Sequence, residues 1–418
     1  MLSLLNKFQW QGSERVYSLP WLRNRIEYSA EPDRVKEYAS GCRFTRSQLS
    51  RDMLTRFHLS NHSIVVSDDE HAQELRQPFR ESMPSEEDFP EIARNLVNAV
   101  FETNREEIPD RTLHLSSELI REVYLSLLSN LLGANVLKPL EEHIKSIDFQ
   151  PGTRPVHLEG VMYALGLQLP GFAPMRTIVD LLFFRGEHHT RQTARKLENM
   201  VFEFATPKQN SWYAMLLDLK KNGQLTRAQL KGELTGVLVS AYSLSAAMSS
   251  MLLCIAARQE YIHKIRDDES MAKCFVYEVL RLYPPFRQFG YEEKNVWSKG
   301  NRSKEEATDF MVSTYALHRN EDAWEDPDSF HPERFLTPGA TGGFKFLPFG
   351  MGGRSCIGRM YSVRMLTEVI KYVCSEDFDL NLELPEDYDS DQDGLPIGTS
   401  GRLVSFPIDD KICVRKAN

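Results

Sequence analysis

Apolar positions recur at helical spacing in several stretches of the chain. Leu119, Val123, Leu125, Leu128, Leu131 and Leu132 predict a helix over residues 116–136. Residues 194–204, 211–221 and 270–282 follow the same pattern, and residues 361–374 read as a further amphipathic helix. The helix over 270–282 must stop at Tyr283-Pro284-Pro285, because proline lacks an N–H and disfavours helical backbone before it. Short alternating runs at residues 63–66, 310–314 and 403–408 predict strands.

One segment breaks the amphipathic pattern. Residues 234–257 carry no charge, a length that would span a bilayer, which needs about 20 apolar residues. Five serines, a threonine and a tyrosine lower its hydrophobicity. Its flanks mix Lys231 with Glu233 and Arg258 with Glu260, so no positive-inside bias marks it. A helix buried in a large α-rich core is the better expectation. Thr226 and Gln229 form a capping box after the breaker Asn222-Gly223. From there to Arg258 the helix would run roughly 50 Å at about 1.5 Å per residue, long enough to cross the middle of the protein.

Composition narrows the class. The 418 residues are 41% hydrophobic and 26% charged, which excludes a disordered or collagen-like chain. At roughly 150 residues per domain, length alone suggests two or three domains. No repeat or long linker divides the chain, and the acidic run at residues 386–394 reads as a surface loop. The net charge of -9 argues against bulk nucleic-acid binding. The first 18 residues carry Lys7 and Gln9 within their apolar stretch, too early for a secretory segment, and no lipidation motif stands at either end. The six cysteines are scattered without a C-x-x-C pair, poor spacing for zinc or a disulfide framework. The expectation is a cytoplasmic protein without a membrane anchor.

The chemistry concentrates in Phe349-Gly350-Met351-Gly352-Gly353-Arg354-Ser355-Cys356-Ile357-Gly358. A cysteine in a glycine-rich loop that opens onto a helix suits a thiolate, because N–H groups and the dipole at a helix start favour negative charge. Glycines let the backbone approach a flat ligand and take up positive φ. Arg354 is in reach of an anionic group. An ordinary buried cysteine after a glycine turn is the alternative.

This loop resembles the F-x-x-G-x-R-x-C-x-G signature of the cytochrome P450 family at Phe349, Gly352, Arg354, Cys356 and Gly358. Glu278-Val279-Leu280-Arg281 matches the family's E-x-x-R, and Tyr283-Pro284-Pro285 follows it. His318-Arg319-Asn320 through Phe330-His331-Pro332-Glu333-Arg334-Phe335 resembles the family's meander. The resemblance covers residues 271–374 well and rests on layout alone before the long helix. It implies a mainly α fold with small β-sheets, 1–418 forming one domain, and haem b with Cys356 as its axial thiolate, which favours O–O cleavage. Arg354 would pair with a propionate, Phe349 would shield the thiolate from water, and Glu278, Arg281 and Arg334 would form a buried ion network.

The same resemblance exposes two departures. The family's long helix usually carries an acid–threonine pair above the iron. By register Ser243 and Leu244 stand there, and no acidic residue lies between Glu233 and Glu260. Three readings stand open. Ser243 or Ser245 relays protons with water; the enzyme uses peroxide or rearranges an oxygenated substrate; or a substrate hydroxyl completes the relay. The alternative to all three is that the serines only hydrogen-bond back to carbonyls one turn earlier, a common habit in buried helices. The absence of a basic residue between Lys231 and Arg258 disfavours a fatty-acid peroxygenase. The propionate partners also differ. His71 precedes Arg76 by five residues instead of four, Tyr291 stands near the usual arginine place, and Arg287 comes earlier. His71, Arg76 and Arg287 are candidate partners, with a plain surface role as the alternative.

Ser240, Ser243 and Leu244, with Phe286, Gln288 and Phe289 after the prolines, are the expected pocket lining, apolar or aromatic in preference. The resemblance is to the soluble bacterial type of the family, and the activity it implies is oxidation of a small lipophilic or aromatic molecule, by hydroxylation or phenol coupling, in specialised metabolism. A separate ferredoxin or flavodoxin would supply electrons, docking at a basic patch near Arg354, Arg359 and Arg364. A peroxygenase, an isomerase and a non-catalytic haem protein remain as alternatives.

Overall fold

The computed structural model describes residues 14–17, 25–41, 44–46, 63–64, 74–102, 110–146, 196, 199–293, 308–375, 380–383, 407 and 411–416. These residues are mainly helical, with three small sheets. The long helix Arg227–Ala257 passes through the middle of the helical core. It packs against the helices Leu115–Ser126, Glu269–Leu282 and Arg359–Val373, and the last of these also packs on Phe89–Glu102. The expected capping box starts it: Gln229 N–H donates to Thr226 Oγ1 at 3.2 Å, and Thr226 N–H donates to Gln229 Oε1 at 2.9 Å.

Residues 244–256 of this helix are all buried. The structure explains how it tolerates its serines. Ser250 donates to the Ala246 carbonyl at 3.0 Å, and the Ser249 hydroxyl meets that of Ser116 at 3.2 Å on the neighbouring helix. Buried hydroxyls are thus satisfied without water. Among the described residues this is the one helix long and apolar enough to cross a membrane, and 81% of its apolar window is buried inside the protein.

The largest sheet has strands β1 (Glu14–Tyr17), β2 (Arg25–Ser29), β3 (Phe44–Arg46), β4 (Gln288–Glu293) and β5 (Thr308–Ser313) in the order β1-β2-β5-β4-β3. Only β2 and β5 run parallel; the other neighbours are antiparallel. A three-stranded sheet joins Asp110–His114, Lys411–Lys416 and Leu380–Glu383, and Ala134–Val136 pairs with Ala205–Pro207.

Several elements depart from the sequence reading. The helix expected over 116–136 ends its α-helical part at Ser126 and widens into a π turn at Leu127–Leu131. Gly133 then takes a φ of +68°, and a Cβ there would collide with Ser211, so the chain turns into a strand. Ser63 and Ile64 form a bend and a turn instead of a strand, because Ile64 N–H donates to the Glu233 carboxylate at 2.7 Å; residues 65 and 66 lie outside the described residues. The strand expected over 310–314 spans Thr308–Ser313, and Ser313 caps a short helix by accepting the Ala316 N–H at 3.2 Å. Of the expected helix at 194–204, residues 199–204 are described as helical. Residues 386–394 and, apart from Pro407, the strand at 403–408 lie outside the described residues.

The Glu269–Leu282 helix stops before its two prolines, as expected, and carries the ion network. Arg281 and Glu278 are fully buried and pair through two contacts of 2.8 Å, Nε to Oε2 and Nη2 to Oε1. Arg281 also donates to the carbonyls of His318 at 2.7 Å, Pro327 at 2.5 Å and Ser329 at 3.0 Å. Glu278 Oε1 further accepts Arg334 Nε at 3.2 Å and His331 N–H at 2.7 Å. Every Arg281 guanidinium proton therefore meets an acceptor and both Glu278 carboxylate oxygens accept a donor, the condition under which buried charge is tolerated. Removing Arg281 strands Glu278. Arg281→Ala should lose about 3–5 kcal/mol in urea unfolding of the full chain; a loss below about 1 kcal/mol would mean the pair is energetically idle.

Candidate haem-thiolate site

The glycine-rich loop enters from a packed aromatic cluster. Phe346 is buried, with ring centroids 5.3 Å from Phe335, 5.7 Å from Tyr277 and 5.4 Å from the stacked imidazole of His318. The chain then reverses. Gly350 N–H donates to the Leu347 carbonyl at 3.1 Å, and Gly350 and Gly352 take φ values of +70° and +61°, where a side chain would be strained. Cys356 N–H returns to the Phe349 carbonyl at 2.8 Å and closes the loop. The following helix begins at Arg359, three residues beyond Cys356, so the loop does not open directly onto it.

Cys356 is exposed, while Cys254, Cys274 and Cys374 are buried. Burial pushes the Cys274 thiol up and that of Cys374 to about 12, leaving both as packing residues. Arg354, two residues before Cys356, is 9% exposed, and Arg76 donates from Nη2 to the Ser355 carbonyl at 2.7 Å. The structure thus brings Arg76 and Arg354 to the cysteine loop. His71 lies outside the described residues. Arg287 stacks on Tyr315, 4.5 Å from its ring centroid, with Arg319 at 4.0 Å from the same ring. Burial lowers its pKa from the usual range, and Arg319 adds to the effect.

Three serines of the long helix, at the expected substrate side, turn into its own backbone. Ser240 donates to Gly236 at 3.1 Å, Ser243 to Ser240 at 3.1 Å and fully buried Ser245 to Ala241 at 2.7 Å. Ser240 and Ser243 are half-buried, three residues apart on one helix face. Leu244 is buried in the main core, against which Phe286, Phe349 and Ile357 also pack. Phe286 and Phe289 lie together, with centroids 5.9 Å apart, and a Cβ on Gly350 would sit 3.8 Å from the Phe289 ring. Gln288 is half-buried on β4, opposite Ser313. Of the expected basic patch, only Arg359 is exposed. Arg354 is buried, which removes it from any docking face, and Arg364 is paired with Glu368 at 3.3 Å.

Two residues that sequence reasoning did not assign to the site hold this loop. His318 is fully buried; Leu347 N–H donates to its Nε2 at 2.9 Å, so Nδ1 carries the proton and donates to the Arg281 carbonyl at 2.9 Å. Tyr291 accepts the Met351 N–H on its hydroxyl at 3.1 Å. His318 stood in a quoted motif and Tyr291 in a noted departure, but no local pattern announces either contact.

The family model described as Cytochrome P450 matches residues 61–372, about three quarters of the chain. The chain belongs to the cytochrome P450 family. Among curated relatives it is 36% identical to steroid 17-alpha-hydroxylase/17,20 lyase of Homo sapiens over 149 residues, 34% of this chain and 28% of that protein. It is 42% identical to cytochrome P450 84A4 of Arabidopsis thaliana over 90 residues, 21% of this chain and 18% of that protein. The matches thus span less than a third of these relatives' own length. Two cytochrome P450 crystal structures from Thermus thermophilus share the fold. CYP175A1 aligns with a TM-score of 0.69 at 19% identity, over 100% of this chain and 95% of that one. A 6-coordinated cytochrome P450 aligns with a TM-score of 0.65 at 18% identity, over 100% of this chain and 98% of that one.

The cytochrome P450 family implies a haem with thiolate ligation to iron, and the donor set fits that group. The loop presents an exposed thiol, glycines keep the approach open, and two guanidinium side chains stand at the same loop for anionic groups. Burial drives the His318 pKa from an ordinary 6.5 to about 3, and the charges of Arg281 and Arg319 oppose protonation further. The unfolded chain therefore binds a proton below about pH 6.5 that the folded protein refuses, so stability should fall as pH drops from 6.5. In His318→Gln this contribution to the slope should vanish. Thermal midpoints of both proteins between about pH 7 and pH 5 test it; parallel slopes would contradict a neutral His318.

Proposed function

We propose that the protein is a haem-thiolate oxidoreductase, one unit over residues 1–418, that oxidises a small lipophilic or aromatic substrate. Hydroxylation or phenol-type oxidative coupling is the reaction class, and specialised metabolism in the cytoplasm is the setting. The observation that carries this reading is the exposed Cys356 thiol on a closed glycine-rich loop, beside Arg354 and Arg76. When bound, a thiolate-ligated haem b supplies the oxidising chemistry. Cys356 would hold it through its thiolate, and Arg354 and Arg76, with Arg287 and His71 as further candidates, would take its acidic groups.

Ser240, Ser243, Leu244, Phe286, Gln288 and Phe289 would line the substrate side. Phe286 and Phe289 make an apolar wall, in keeping with a substrate that is mostly hydrocarbon. Glu278, Arg281 and Arg334 serve the fold and take no part in the chemistry. A relative named as a steroid hydroxylase supports the monooxygenase class and a lipophilic substrate. Electrons come from a ferredoxin or flavodoxin, with exposed Arg359 at the docking face.

A second reading has its own support. Ser243 and Ser245 spend their protons on the helix backbone, and Leu244 stands in the core where the family usually has threonine. A chain with little proton delivery suits peroxide use or rearrangement of an oxygenated substrate. Turnover separates the two. Purified haem-loaded protein is given phenols, indoles and terpenes with dioxygen, reductase and ferredoxin, or with hydrogen peroxide alone. Product only in the first arm supports the monooxygenase; product only in the second supports the electron-independent enzyme. In either case Ser243→Ala should change product yield less than about twofold, because its hydroxyl is held by a bond of ordinary net worth, about 1 kcal/mol. A tenfold loss would place Ser243 in the relay.

A further inference from the structure

The cysteine loop is held from outside at both ends of its turn. At residue 347, Leu347 N–H donates to His318 Nε2 at 2.9 Å. At residue 351, Met351 N–H donates to the Tyr291 hydroxyl at 3.1 Å. Between them the Gly350 N–H returns to the Leu347 carbonyl at 3.1 Å, so residues 347–351 form one closed turn with a side chain at each end. The backbone comes close to the phenol hydroxyl: at Gly350, with φ at +70°, a Cβ would stand only 3.1 Å from the Tyr291 hydroxyl oxygen.

Cys356 takes its position from this turn. Its N–H donates to the carbonyl of Phe349, a residue inside the tethered segment, at 2.8 Å. Tyr291 is 3% exposed and stands on β4, paired with Phe310 of β5, so its hydroxyl is carried by the sheet and not by the loop. Both outside acceptors are uncharged, a phenol and a neutral imidazole. They fix the loop without placing a cation against it.

We propose that Tyr291 is a positioning residue for Cys356, whose hydroxyl fixes the Met351 N–H and through it the register of the loop that presents the thiolate. The proposal rests on the reading of Cys356 as axial ligand. Without the hydroxyl, Met351 N–H is left buried without its partner, and the turn must relax to find another. The sulfur then moves relative to the iron, and its ligation weakens without loss of the fold.

Tyr291→Phe keeps the ring and removes the acceptor. Tyr261→Phe is the control: it removes a phenol whose hydroxyl donates to Glu333 at 3.1 Å, at a hydrogen bond outside the loop. Wild type and both variants, each loaded with haem, are compared by the ferrous carbon monoxide spectrum, the reduction potential and amide hydrogen exchange of the 347–351 segment. Tyr291→Phe should raise the fraction of the non-thiolate carbon monoxide form at least threefold, shift the potential and speed exchange of the Leu347 and Met351 amides about tenfold. Tyr261→Phe should leave all three at wild-type values. Unchanged spectrum and potential in Tyr291→Phe, or equal changes in both variants, would overturn the proposal while leaving Cys356 as ligand. A wild-type spectrum without the thiolate band would remove the reading of Cys356 and the proposal with it.

Discussion

The buried guanidinium of Arg281 is the constraint on which the site depends. A charge in the core must find a counterpart for every proton, and Arg281 finds them in Glu278 and in the carbonyls of His318, Pro327 and Ser329. Those carbonyls belong to the segment that leads towards the cysteine loop. Satisfying one side chain therefore ties a helix to a long, mostly irregular stretch of chain. The Trp324 ring, 5.3 Å from the same guanidinium, adds a cation–π contact.

From Arg281 the constraint passes to chemistry through neutral groups. The Arg281 carbonyl orients the His318 ring, and the ring receives the first N–H of the loop turn. Burial beside two arginines keeps that imidazole uncharged, so it stays an acceptor at any physiological pH. Tyr291 receives the other end. The exposed thiol of Cys356 is thus the terminus of a chain of satisfied polar contacts that begins at a salt bridge, while the other cysteines with described side chains lie in apolar surroundings.

The features legible in the sequence were those whose partners are near in sequence. Thr226 and Gln229 announced the start of the long helix, Pro284 and Pro285 the end of another, and Glu278 and Arg281 a shared helix face. The contacts that were not legible join distant residues. Arg76 reaches the Ser355 carbonyl across 279 residues, and Ile64 reaches Glu233 across 169. The second contact replaces the strand that alternation at 63–66 suggested. Leucine spacing hid the end of the helix after Ser126, because the turn there is decided by the crowding of Gly133 against Ser211. Length suggested several domains, whereas the long helix and the cysteine-loop helix pack on each other across more than a hundred residues of chain. The site serines were visible, but their back-bonding depends on rotamers that residue type alone does not set.

The central claim is that Cys356 is the thiolate ligand of a bound haem. The ferrous carbon monoxide spectrum of haem-loaded protein tests it most directly. The wild type should give the red-shifted Soret band of thiolate ligation, and Cys356→Ala should lose that band while Cys254→Ala, Cys274→Ala and Cys374→Ala retain it. A wild-type spectrum of histidine type, or a Cys356→Ala protein that keeps the red-shifted band, would contradict the account.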